Sequence, residues 1–390
     1  MDKYGVNFGQ DSSFAGTVTA QGNQDDNGKG DFYYTPPSGF LALCTDNLPT
    51  PEIALPGEYF NTKIYDDGAG AKTGVGFQPD FVWVKSRGSA YEHELTDAVR
   101  GVTKAISSDN TNSETTDSTG LTAFGADGFT VGADTNYSDT TGSGMVAWCW
   151  KGDGVAGGTL NEVGATDSQV NANTTSGFSI VTYTAPTTAT SIGHGLTQAP
   201  ELIIIKDRNY GGSNWPVMRD NSNPTSILYL NLGNAAGADS TSYTAVAATT
   251  FSIGTSTDLN YDSPVAYCFH SVEGYSKVGS YTGNGNTDGV FIYTGFRPAF
   301  VIGKNTTEAD YTWWTVDTTR SPYNNVQKIL SPQYASAEAD VSYEVVDIVS
   351  NGFKFRIPGT DGNLDTYNGT DDGYVYIAFA ESPFKYSNAR

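Results

Sequence analysis

GFQPDFVWVK at residues 76–85, GLTQAPELIIIK at 195–206 and GFRPAFVIGK at 295–304 are three versions of one phrase. Each has Pro, any residue, Phe or Leu, an aliphatic residue, two more residues and then Lys. Proline at the head fixes φ where a missing N–H does no harm, and the apolar run behind it reads as a strand. A second phrase follows each at a similar distance: MVAWCWKG (145–152), PVAYCFHS (264–271) and YIAFAESP (376–383). Aligning Ala147, Ala266 and Ala378 puts Trp148, Tyr267 and Phe379 in one column and Cys149, Cys268 and Ala380 in the next. A position that accepts Cys or Ala is a small, tightly packed core position, not a nucleophile.

Weaker matches keep the same order. DGFTV (127–131), TFSI (250–253) and NGFKF (351–355) precede the final strand of each copy, and a Tyr-bearing strand opens each: TKIYDDG (62–68), FSIVTYTA (178–185) and KVGSYTGNG (277–285). The Asp97-to-Arg100 spacing returns as Asp317 to Arg320, while the middle copy has Met218-Arg219-Asp220. That spacing predicts a local ion pair or loop clasp. The expected fold is all-β: a tandem array of three homologous β-sandwich-like units at 58–160, 161–275 and 276–390. Residues 1–57 precede them, with a Pro-studded connector at 48–57. The Gly- and Asn-rich stretch 152–175 reads as a linker, and 321–339 as room for a short helix.

Composition agrees. Among 390 residues there are 45 Gly, 24 Tyr and 19 Phe but only 21 Lys plus Arg, which suits strands and turns over long helices. The net charge of −22 and the lack of a basic cluster exclude counterion-release binding to nucleic acid and disfavour anionic lipid. No apolar run approaches a bilayer span, so no membrane insertion is expected. Residues 1–10, MDKYGVNFGQ, show no secretion signal. Cys44, Cys149 and Cys268 form no framework or CxxC pair and read as buried thiols in a chain folded in a reducing cytoplasm.

No catalytic constellation emerges, and no cofactor or metal is expected. His93, His194 and His270 lie in unrelated motifs; His194, between two glycines, reads as a backbone hydrogen-bonding group. The acidic pairs Asp25-Asp26, Asp66-Asp67 and Asp371-Asp372 sit in Gly-rich turns, where Asp before Gly is ordinary turn chemistry. Asp361, Asp365, Asp371 and Asp372 cluster in sequence without the DxDxDG spacing of a calcium loop. Aromatic residues in the variable middles are the stronger signal for binding. Trp215 and the pair Trp313-Trp314 are candidates, with the core assigned to one of the pair and strand alternation turning the other outward. Tyr210 in the glycine-rich tip 209–213, and Asn284 and Asn286 in the tip 283–289, complete the candidate binding surface.

Residues 7–10 (NFGQ), Phe14 and FYYTPPSGFLAL at 32–43 resemble the closing strands of a SPRY domain. The remainder resembles a domain family of unassigned function found in virion proteins of marine tailed phages. The likeness is carried by residues 36–60, FSIVTYTAP (178–186), IGHGL (192–196), residues 270–285 and AFAESPFKYSNAR (378–390). It implies a virion protein assembled in the host cytoplasm: part of a tail or capsid-attached fibre, or a surface decoration. Its partners would be other virion proteins and a host surface glycan, and a homo-oligomer is expected, trimeric in a fibre. The alternatives are a glycan-degrading tailspike, which needs two carboxylates facing one groove, and a carbohydrate-binding adhesin.

Overall fold

A computed structural model describes residues 6–66, 68–140, 144–259, 261–341, 345–357 and 364–387. The chain divides into a small unit, residues 6–51 with 385–387, and a large unit from residue 52 to 384.

The large unit is built from antiparallel strands in three runs. The first comprises β1 (Phe60–Tyr65), β2 (Gly70–Thr73), β3 (Phe81–Ser86), β4 (Glu94–Asp97), β5 (Lys104–Ser107), β6 (Thr115–Thr116), β7 (Leu121–Gly125), β8 (Gly128–Val131) and β9 (Met145–Trp150). The second opens with β10 (Thr159–Asn161) and β11 (Ser168–Asn173). It continues with β12 (Phe178–Tyr183), β13 (Thr190–Gly193), β14 (Leu202–Asp207), β15 (Pro216–Met218), β16 (Ser226–Tyr229), β17 (Gly237–Ala238), β18 (Tyr243–Val246), β19 (Thr250–Ile253) and β20 (Pro264–Phe269). The third holds β21 (Ser276–Thr282), β22 (Phe291–Tyr293), β23 (Phe296–Asn305), β24 (Trp314–Asp317), β25 (Lys328–Ile329), β26 (Ala339–Asp340), β27 (Val346–Val349), β28 (Gly352–Phe355) and β29 (Gly373–Pro383), with the one-turn helix α1 (Leu364–Tyr367) before the last strand.

Each run makes a large and a small sheet in the same order. The large sheets read β1-β9-β3-β4-β5-β6, then β12-β20-β14-β15-β16-β17, then β21-β29-β23-β24; the small ones read β2-β8-β7, β13-β19-β18 and β22-β28-β27. In every run the space between the two sheets is its own core, around Val82, Phe129 and Cys149 in the first, Ile203, Phe251 and Cys268 in the second, and Val301, Phe353 and Ala378 in the third. The tyrosine that opens each run does the same job in all three. Tyr65, Tyr183 and Tyr281 donate their hydroxyls to the carbonyls of Tyr137, Leu259 and Tyr367, at 2.8, 3.1 and 2.8 Å, tying the lead strand to the loop before the last strand.

Along the central strands of the three large sheets the opposite faces are not solvated. They meet in one shared core. At its centre stand Trp150, Phe269 and Phe379, paired across from Phe81, Leu202 and Phe300 respectively. Their ring centroids form a triangle with sides of 6.3, 5.6 and 5.9 Å, one residue from each run. Around this triangle the runs are joined by one backbone hydrogen bond used three times. Glu114 N–H donates to the Arg208 carbonyl (2.7 Å), Ala236 N–H to Thr306 (2.9 Å) and Glu338 N–H to Arg87 (2.9 Å), so the first run leans on the second, the second on the third and the third on the first.

Several expectations change. The 152–175 stretch is no linker: β10 and β11 lie within it and extend the second large sheet, with β10 crossing the expected 160/161 boundary. Residues 321–339 carry no helix; short strand pairing between β25 and β26 takes that place. The third copy of the aromatic phrase slips by two residues, because Val301 pairs with Ala378 as Val82 pairs with Cys149. Ala378, not Ala380, is therefore the counterpart of Cys149 and Cys268, both of which are buried, whereas Cys44 is exposed.

In the small unit no strand forms among the described residues beyond the single bridge between Asn23 and Phe32, so the strands implied by the SPRY likeness are not seen. Side-chain carboxylates take the backbone donors instead: Asp25 accepts from the N–H groups of Ala42, Lys29 and Asn27, and Asp31 from Ser12. Pro36 and Pro37 remove two more ladder donors.

The shared core makes a firm prediction. Phe379→Ala removes one corner of the aromatic triangle and should cost about 3–5 kcal/mol. Urea unfolding of the variant and calorimetry of the wild type should each show one transition for all three runs; separate transitions would mean that the runs are independent.

Candidate functional site

In each run the lead strand and the Pro-headed strand are parallel, both antiparallel to the last strand between them. Tyr65 and Ser86 both pair with Met145, Thr182 and Asp207 meet Val265 and Pro264, and Thr282 and Asn305 meet Gly373 and Tyr374. Three loops therefore gather at one end of each large sheet.

The lysine that closes the Pro phrase anchors this end. Lys85, Lys206 and Lys304 are buried, and burial pulls each ammonium down to about 8. Lys85 Nζ donates to the carbonyls of Ser86 and Ser89, Lys206 Nζ to Ser213 and Thr111, and Lys304 Nζ to Asn305. The following residue is always short and polar: Ser86, Asp207 and Asn305. Each caps the loop, accepting from the N–H of Ser89, of Asn209 and Tyr210, or of Thr307 and Glu308. These three residues were missed at the sequence level, although Lys-Ser, Lys-Asp and Lys-Asn at one repeat position carried the signal.

The ends then diverge. In the second run Tyr210 and Tyr261 stand 40% and 48% exposed, ring centroids 4.6 Å apart and planes tilted by 38°. One buried carboxylate holds both: Asp207 Oδ1 accepts from Tyr210 N–H (3.0 Å) and Oδ2 from the N–H of Asp262, next to Tyr261 (2.9 Å). Asn209 Nδ2 closes the gap by donating to Asp262 Oδ2 at 2.7 Å.

In the third run Asn284 and Asn286 are exposed, but their polar groups shape the loop. Buried Asn368 accepts from Asn284 N–H and donates to Asn284 Oδ1 and the Asn286 carbonyl, while Asn286 Oδ1 accepts from Asp288 N–H. Asp365 and Asp372 join the network through Tyr311 and Asn305. Asp361 and Asp67 lie outside the described residues. Among the described residues no group of three or more His, Cys, Asp or Glu is arranged to hold a metal ion.

In the first run the end is acidic. Glu92 and Glu94 share the Ser107 hydroxyl, at 3.1 and 3.2 Å, and Asn110 and Asn136 donate to them. Burial, and then the charge of Glu92, push Glu94 up to about 8 and Asp109 up to about 7. Glu94 is 5% exposed, and its Oε2 has no hydrogen-bonding partner.

The tryptophans do not reach any surface. Trp215, Trp313 and Trp314 are all buried, so the core expected for one of the pair holds, while the exposure expected for its neighbour and for Trp215 does not. Alternation holds for the Trp313-Trp314 pair, but both faces of the sheet are interior: Trp313 enters the shared core and Trp314 the core of its own run. Trp215 and Trp313 occupy equivalent places and reach across to neighbouring runs, Trp215 Nε1 to the Asn110 carbonyl (3.1 Å) and Trp313 Nε1 to the Tyr229 carbonyl (2.8 Å).

The histidines are equally structural. His93 accepts from Trp83 Nε1, and burial holds it well below the usual imidazole range. His194 bonds the Ala247 carbonyl and accepts from Leu196 N–H, as its flanking glycines predict.

A family model described as a domain of unknown function, DUF7483, matches residues 55–383. No curated protein and no solved structure matches the chain.

The raised carboxyl gives a pH prediction. A folded-state value of about 8 against an ordinary 4.5 means that the proton on Glu94 favours the folded state. Its contribution is fully present below pH 4.5 and is lost as pH rises through 8. Glu94→Gln keeps the neutral form, so it should flatten the stability profile between pH 5 and 8. It should raise stability at pH 8 by on the order of 1–3 kcal/mol, read from urea midpoints; a variant less stable at pH 8 would contradict this.

Proposed function

The chain belongs to the DUF7483 family, a domain of unknown function, and from that premise we propose a non-enzymatic phage virion protein. It would be part of a tail or capsid-attached fibre, or a surface decoration, assembled in the host cytoplasm. Its loop ends would bind a host-envelope glycan, with other virion proteins as structural neighbours. The resemblance of residues 36–60, 178–186 and 270–285 to phage virion domains supports the setting. The Tyr210–Tyr261 pair carries the binding role: two half-exposed rings, fixed by Asp207 on a rigid end, offer faces of the kind that stack on sugar rings. The three runs already form a closed ring within one chain, so a fibre trimer is not needed to create three-fold repetition.

Glycan hydrolysis is the competing reading, and Glu92 with Glu94 is the carboxylate pair it would use. Ser107 stands bonded to both groups, and Glu94 is closed off from solvent. That favours a packed polar cluster over a cleft that admits a sugar.

Tyr210→Ala should weaken retention on host-envelope polysaccharide about tenfold, roughly 1.4 kcal/mol, while thermal unfolding stays within about 0.5 kcal/mol of wild type. Unchanged retention would remove the pair from the binding surface. Reducing ends released by the wild type and lost in Glu94→Gln would overturn the non-enzymatic reading.

A further inference from the structure

The small unit lacks a hydrophobic interior of its own. In residues 6–51 the buried residues are Ser12, Asp25, Ala42 and Pro51, so no large apolar side chain is buried there. Polar bonds hold the segment: Asp25 with Ala42, Lys29 and Asn47, Asp11 with Ser13 and Ala15, and Asp31 with Ser12. Its large apolar residues turn outward around a groove of about 740 Å³ whose lining includes no charged residue. Phe40, 68% exposed, belongs to that lining. Leu43, 84% exposed, stands beside the groove, its N–H bonded to the carbonyl of the groove residue Phe8.

An aromatic side chain offers about 200 Å² and a Val or Leu roughly 150 Å² when fully exposed. On that scale Phe8, Val18, Tyr34, Phe40, Leu41 and Leu43 present on the order of 650 Å² of apolar surface. Two such faces together would remove about 1,300 Å², within the usual range of a specific interface. Phe40 in the lining and Leu43 beside it are both largely exposed, so apolar side chains and a hollow share one face, which suits a self-complementary two-fold contact. The uncharged lining gives no handle for a charged partner. A patch of this size on a body with a net charge of −22 is also unlike the isolated apolar residues of ordinary surfaces.

We propose that this face is a self-association site, at which the small units of two chains pack face to face and form together the apolar core that each lacks. The inference is independent of the glycan-binding reading, which rests on the loop ends of the large unit.

The test uses the full chain in sedimentation equilibrium from 1 to 100 μM. A monomer–dimer equilibrium is expected, abolished by Phe40→Asp with Leu43→Asp. Both substituted side chains are already exposed, so the unfolding midpoint of the large unit should not move. Binding of an environment-sensitive apolar dye should be weak in the wild-type dimer and strong in the monomeric variant. A wild-type monomer at 100 μM that binds the dye strongly would mean that a different polypeptide covers the groove, and would overturn the proposal. A dimer that survives the double substitution would overturn it as well, by placing the contact elsewhere.

Discussion

A β-strand buried on both faces leaves no side for its charged residues, and the central strands of the three large sheets between residues 52 and 384 are all in that position. Their inner faces close on the triangle of Trp150, Phe269 and Phe379, and their outer faces are covered by the small sheets. Consequences follow for every polar group on those strands. The lysines at the strand ends reach the carbonyls of the loops beside them. Asp97 with Arg100 and Asp317 with Arg320 pair at 2.5 Å with both partners sealed from water. Such pairs rarely add net stability over an apolar replacement, but losing one partner would strand the other. The clasps therefore act as constraints on register, and the expectation of a local ion pair at this spacing agrees with their geometry.

The all-β class and the strand order common to the three runs were legible because three phrases recur in one order, and because Tyr65, Tyr183 and Tyr281 mark the same strand. The shared core was not legible. Periodicity of two states that alternate residues face opposite ways; it does not state whether the second face meets water or another sheet. Trp313 and Trp314 show the consequence: the alternation was right, and the assignment of one side to solvent was wrong. The two-residue slip in the third copy has a related cause. A shift by two returns every side chain to its own face, so hydrophobic pattern is blind to it, and only the pairing of Phe300 with Phe379 and of Val301 with Ala378 reveals it. At the candidate site, Tyr210, Asn284 and Asn286 were correctly read as exposed tip residues. Tyr261 and the positioning role of Asp207 were missed, because they depend on which loops a parallel strand pair brings to one end.

The ring of backbone hydrogen bonds explains how one scaffold carries three different loop ends. Glu114, Ala236 and Glu338 bond through their N–H groups, so the side chain at that position is free to change. The third run keeps Glu338, which meets Arg87 and Arg320. The first keeps Glu114, which meets Arg100 and Arg208. The second has Ala236 and no charge there, yet the backbone bond persists. Since neither that bond nor the aromatic triangle involves the loop tips, an acidic cluster, a tyrosine pair and an asparagine-pinned turn coexist on equivalent frames.

The loss of the clasp in the middle run follows from the same geometry. Trp148 Nε1 of the first run donates to Asp317 of the third at 3.1 Å, and the Tyr267 hydroxyl of the second donates to Asp97 of the first at 2.9 Å. Strand pairing places Ile377 of the third run at the position of Trp148 and Tyr267, since it faces Ile302 as they face Trp83 and Ile204. Arg219 of the second stands where Asp97 and Asp317 stand, by its place next to Met218 in β15. Where the donor has become an aliphatic side chain, a buried aspartate would lose one of the bonds that make its charge tolerable. Arg219, whose guanidinium donates to the Ser226 hydroxyl at 2.8 Å, occupies the same slot and needs no such donor. Donor and acceptor have changed together across an interface between runs distant in sequence, which is the signature of a core that the three runs build jointly.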